Sequence, residues 1–99
     1  MADKLKLLIL NASSEERRTI RATLEYLNVF EFIEAADSLD ALTLLKKQPV
    51  NMIITGLSVG KIDGWRFSRM IRSGLLNTPK NTPILLIPPI YCERIAETT

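Results

Sequence analysis

Histidine is absent from this chain, and cysteine occurs once, as Cys92. Without an imidazole, histidine-based acid–base catalysis is excluded, and one thiol with no histidine does not build a tetrahedral zinc site. A single cysteine also rules out an internal disulfide and suits a reducing cytoplasm. No apolar run reaches membrane-spanning length and no signal-peptide pattern is visible, so no membrane is expected as partner. Glycine is scarce, with four residues, and they build neither a G-x-G-x-x-G fingerprint nor a Walker loop. Charge of one sign is also lacking. The net charge is +2 and the isoelectric point near 8.9, an excess too slight and too dispersed to imply nucleic acid.

What is present is 99 residues, of which 46% are hydrophobic and 24% charged. That composition describes one soluble globular domain over residues 1–99, which buries roughly 60–70% of its unfolded surface. Leu5 to Leu10 is almost wholly apolar, as expected of a central parallel strand covered on both faces. Asn11-Ala12-Ser13 leads into a helix. Ser13 and Glu16 have capping-box spacing, in which each side chain serves the other's free amide, and Ile20, Leu24 and Leu27 form its buried stripe. Phe30 to Ala35 reads as a second strand. A second helix runs from Ser38 to Lys47, capped by Asp37 or Ser38, with Ala41, Leu42 and Leu45 inward and Pro49 ending it. Val50 to Thr55 is a third strand, and Asp63 caps a third helix with Phe67, Met70 and Ile71 inward and Gly74 as its terminator. Pro83 to Ile87 is a fourth strand, stopped by Pro88-Pro89, with at most a short final helix from Tyr91 to Glu97.

Strands alternating with helices at this spacing imply right-handed crossovers and a doubly wound parallel sheet, with strand order 2-1-3-4. The stretch Asn51-Met52-Ile53-Ile54-Thr55-Gly56-Leu57-Ser58-Val59-Gly60-Lys61-Ile62-Asp63-Gly64 resembles the third strand and following loop of the receiver domains of two-component response regulators. The resemblance implies a flavodoxin-like fold. In that family the strand ends in an acceptor aspartate, where this chain has Gly56, and the loop closes with Asp-Gly, here Asp63-Gly64. It also implies a fifth strand and last helix that are missing after the fourth strand here.

The resemblance further implies a magnesium site built by an acidic pair after the first strand together with the acceptor. Asn11, Ala12 and Gly56 stand at the matching places and supply no charge, so no metal and no other cofactor is expected. Pro88 takes the place of the hydroxyl residue that follows the phosphoryl group, and proline has no hydroxyl. Thr55, Ser58 and Asp63 lie near the same rim, but a strand, a loop and a helix cap account for them, and Asn11 reads as a residue tidying the strand-to-helix turn. No nucleophile and base can be paired, so no enzyme is expected.

The resulting expectation is a non-phosphorylatable, receiver-like signalling module that acts by contact with a protein, either itself or another signalling protein. The uncovered edge of the fourth strand, with Ile84 and Leu86, is the expected homodimer surface. Arg17, Arg18 and Arg21 on the exposed side of the first helix, and Arg66 and Arg69 on the third, are further interaction candidates for an acidic partner. Trp65 reads as half-buried, either core or a partner's anchor, with core the expectation. A second reading is a small-ligand or anion sensor at the loop between Gly56 and Gly60, where open α/β folds bind ligands.

Overall fold

The computed structural model describes residues 4–74, 76 and 78–88. Leu5–Leu10 forms the central strand β1, because four successive apolar residues with no exposure, Leu7 to Leu10, demand cover on both faces. Each such side chain contributes about 1.5–3 kcal/mol on burial. Phe30–Ala35 (β2) pairs with one side of β1, Met52–Gly56 (β3) with the other, and Ile84–Ile87 (β4) lies outside β3. All pairings are parallel, giving the expected order 2-1-3-4.

Helices Ser14–Glu25 (α1), Ser38–Lys47 (α2) and Gly64–Arg72 (α3) alternate with the strands. On one face of the sheet Ala41 and Leu45 of α2 and Phe67 and Ile71 of α3 close over Leu8, Leu10 and Ile53. On the other, Leu7, Ile9 and Ile54 are covered by Ile20 and Leu24 of α1 together with Phe30, Phe32, Met52 and Ile87. No residue of α1 is buried, and Leu27 is exposed. The buried stripe expected for this helix is therefore only a half-buried one. Among the described residues α1 is the one helix on this face of the sheet.

The helix starts follow the sequence closely. Ser13, Asp37 and Asp63 each accept the amide of the residue three positions on, satisfying a donor that has no partner inside the helix. The Ser13 cap differs from the expected reciprocal box in one respect: the Ser13 amide goes to Asn11 Oδ1, not to Glu16. Gly74 takes φ +78 just past α3 and donates to the Ile71 carbonyl, as a terminating glycine does.

Two strand starts shift. β3 begins at Met52 because the Asn51 side chain intrudes, its Oδ1 accepting the Lys6 amide at 2.8 Å. β4 begins at Ile84, since Pro83 has no amide to donate and contributes only its carbonyl, to Ile53. Trp65, expected to be half-buried in the core, is 62% exposed. The short final helix expected over Tyr91 to Glu97 lies outside the described residues.

Candidate functional site

The carboxyl ends of β1 and β3 meet at a rim where Asn11 and Gly56 face one another. Asn11 is buried; its amide continues the ladder to Ala35, and its Oδ1 accepts the Ser13 amide at 2.8 Å. That bond makes it the organiser of the strand-to-helix turn, as its residue type suggested. A Cβ built on Gly56 would sit 3.3 Å from Asn11 Nδ2 and 3.8 Å from Val59 Cγ1. The asparagine side chain thus lies over the spot from which a residue-56 side chain would emerge. Gly56 does not have positive φ, so nothing in its backbone requires glycine.

The loop after β3 is fastened on both sides. Ser38 at the start of α2 donates its amide to Val59 and accepts the Ile62 amide on its hydroxyl, while Val59 itself is fully buried. Gly64 donates to Leu57, and a Cβ there would overlap the carbonyl oxygen of Gly56. The Asp-Gly pair at 63–64 therefore has two jobs: Asp63 caps α3, and Gly64 lets the helix start close against β3. Thr55 is buried and spends its hydroxyl on the Gly56 carbonyl, Ser58 is exposed in the loop, and Asp63 is committed to the Arg66 amide. Pro88 follows Ile87, the register partner of Gly56, and is exposed at the same rim.

This donor set does not suit a hard divalent ion, which takes several carboxylate or carbonyl oxygens. Asn11 has one neutral side-chain oxygen, already engaged; Ala12 and Gly56 have none. Among the described residues no three acidic, histidine or cysteine side chains gather where they could hold a metal. A positive charge reaches this rim: Arg17 Nη1 donates to the Asn11 carbonyl at 2.5 Å.

Arg17, Arg18 and Arg21, expected together on an exposed face, separate into two kinds. Arg17 and Arg21 both turn to β2, where Glu34 accepts Arg17 Nε at 3.2 Å and Arg21 Nη1 at 2.9 Å. Arg21 also approaches Glu25 at 3.6 Å and lies over the Phe32 ring, 5.5 Å from its centroid. Only Arg18 of the three has no partner among the described residues. Glu34 was not visible as a functional partner in the sequence, since it lies in another element and only the crossover brings it near.

At β4 the side chains alternate between the two faces of the sheet. Ile84 packs on the α2/α3 core, and Leu86 lies on the same side, where its Cδ2 would be 3.0 Å from a Cβ on Gly64. Both are half-buried. Leu85 is the strand's exposed residue, 51% accessible, on the α1 side with Ile87. Period-two alternation along the strand is the sequence signal for it.

No family model matches the chain, and neither does any curated protein. Among solved structures it is similar to the receiver domain of the Francisella response regulator 1452, with 20% identity over 95% of this chain and 74% of that one and a TM-score of 0.75. It is also similar to the chemotaxis response regulator CheY4 of Vibrio cholerae, with 28% identity, coverage of 84% and 67%, and a TM-score of 0.71. A third is the receiver domain of the sensor histidine kinase PA1611 from Pseudomonas aeruginosa, which holds a magnesium ion in its active-site cleft; identity is 20%, coverage 84% and 66%, TM-score 0.72. The chain thus spans between two thirds and three quarters of their length. Its parallel strands in the order 2-1-3-4, with helices on both faces, are the flavodoxin-like fold of response-regulator receiver domains.

Proposed function

We propose that this chain is a receiver-like signalling module that works without aspartyl phosphate or magnesium and acts by binding protein, including a second copy of itself through the β4 edge. The observation that carries this reading is the placement of the Asn11 amide 3.3 Å from where a Cβ on Gly56 would stand. Where a receiver would place an acceptor carboxylate, this chain has no side chain, and a neutral amide, already hydrogen-bonded, lies over the gap. An aspartyl-phosphate switch needs acids both to accept the phosphoryl group and to hold the ion that neutralises its charge.

The two sheet edges support the binding half of the reading. β2 carries Glu31 and Glu34, the charged side chains that discourage edge pairing. β4 reads Ile-Leu-Leu-Ile with no charge, and Leu85 stands exposed on it. A two-fold pairing of β4 with β4 would cover both strands with one self-complementary contact.

Amide NMR spectra with and without magnesium and a phosphate mimic, recorded beside a mass measurement in solution, test both halves. Spectra indifferent to the additives and a dimeric mass are expected. Magnesium-dependent shifts centred on Asn11 and Gly56 would sink the silent-site half, and a monomer at high concentration would sink the β4 half.

A further inference from the structure

We infer that the outer face of α3 docks an acidic segment of another protein, with Trp65 as the apolar anchor and Arg66 and Arg69 as the charged contacts. This surface is separate from the β4 edge and goes beyond the reading above. α3 turns Phe67 and Ile71 into the core. At about 100° per residue, Trp65 falls on the far side of the helix from Phe67. Trp65 is left 62% exposed, although tryptophan is the largest apolar side chain the chain has to bury.

The charge carried by α3 itself is of one sign. α3 contains Arg66, Arg69 and Arg72 and no acidic residue. Arg72 spends its guanidinium on the carbonyls of Lys80 and Thr82. The guanidinium groups of Arg66 and Arg69 meet no carboxylate among the described residues, in contrast to Arg17 and Arg21, which share Glu34. Lys61 is exposed just before the helix, and Asp63, the nearby acid, is turned to its capping bond with the Arg66 amide.

Trp and Arg are the side chains that most often dominate protein interfaces, the one by area and the other by forked bonds to carboxylates. The matching partner carries carboxylates beside an apolar residue that rests on the indole. Nucleic acid fits less well, because two free guanidinium groups a single turn apart provide no track along a phosphate backbone.

Trp65 is the only tryptophan of the chain, so its emission reports this face alone. The full chain is titrated, at physiological salt, with a synthetic peptide alternating glutamate and leucine, and in parallel with oligothymidylate. A saturable blue shift with the peptide is expected, with weakening on the order of tenfold in an Arg66→Glu, Arg69→Glu variant. Arg18→Glu, which reverses an unpartnered charge on α1, is the control and should leave affinity unchanged. Circular dichroism confirms that each variant folds. Unmoved emission, equal loss in the Arg18 control, or a response to oligothymidylate in place of the peptide would each overturn the inference.

Discussion

Asn11 Nδ2 lies 3.3 Å from the point where a Cβ on Gly56 would stand, and Oδ1 of the same amide accepts the Ser13 amide. One side chain therefore both covers the gap at the end of β3 and fixes the entry to α1. Restoring only the acceptor should not restore ion binding: Gly56→Asp adds one carboxylate beside a neutral amide and near the Arg17 guanidinium. Combining it with Asn11→Asp and Ala12→Asp supplies the oxygen charge that a divalent ion requires. Calorimetric titration with magnesium should show no binding in the single variant and saturable binding in the triple one. Saturable binding by the unaltered chain would show that the rim retains a site.

Gly56 and Gly64 sit close together but differ in what they tolerate. At Gly56 a methyl group meets the end of the Asn11 side chain, which can give by a few tenths of an ångström, so Gly56→Ala should cost about 1 kcal/mol, the low end of overpacking. At Gly64 the methyl group meets the Gly56 carbonyl oxygen, and backbone on both sides has to shift. Gly64→Ala should cost about 3 kcal/mol by overpacking, even though alanine favours a helix over glycine by about 1 kcal/mol. Urea unfolding of the two variants side by side decides the matter, and equal midpoints would contradict the close approach of α3 to β3.

Arg17 is tied twice, to Glu34 of β2 and to the Asn11 carbonyl, with its side chain only 17% exposed. Arg18 next to it has neither bond. Arg17→Ala should lose about 1–2 kcal/mol, more than a solvent-screened surface pair contributes, because a carbonyl bond goes with it. Arg18→Ala should stay within about 0.5 kcal/mol of the parent. If thermal melts place the two variants together, the pairing of α1 with β2 contributes nothing to stability.

Those arginines also mark the limit of what the sequence discloses. Caps and turns are local, so Ser13, Asp37 and Asp63, and Asn11 in its turn, follow from neighbours a few residues away. Strand order follows from the alternation of elements and the handedness of crossovers. The pairing of Arg17 and Arg21 with Glu34 depends on two elements meeting across β1, which no local spacing encodes. The stripe Ile20, Leu24, Leu27 has helical period, yet period fixes only direction; depth of burial depends on what else covers that face. Aromatic character alone argues core for Trp65, whereas its angle from Phe67 and Ile71 on the helix puts it outside.

Phe67 and Trp65 give that angle a measurable form. Phe67 has no exposure and packs in the cluster under α2 and α3, so Phe67→Ala should cost about 3–5 kcal/mol. Trp65→Ala, at a largely exposed position, should change stability by about 0.5 kcal/mol or less. Denaturant midpoints that reversed this order would mean that α3 is rotated about its axis.

Leu85 and Ile84 are neighbours on β4 that point to opposite faces, which separates association from stability. Leu85→Lys places a charge on the exposed side of the edge strand, where it obstructs pairing with a second copy while monomer stability moves by about 0.5 kcal/mol or less. Ile84→Lys drives the ammonium toward the α2/α3 core, and burying an unpaired charge there should destabilise the fold strongly. Sedimentation together with thermal melting distinguishes the cases: the Leu85 variant should be a folded monomer, and the Ile84 variant should melt early whatever its mass. A Leu85→Lys protein that remained dimeric would place the interface elsewhere than β4, because a two-fold strand pairing brings both copies of this side chain to the same seam.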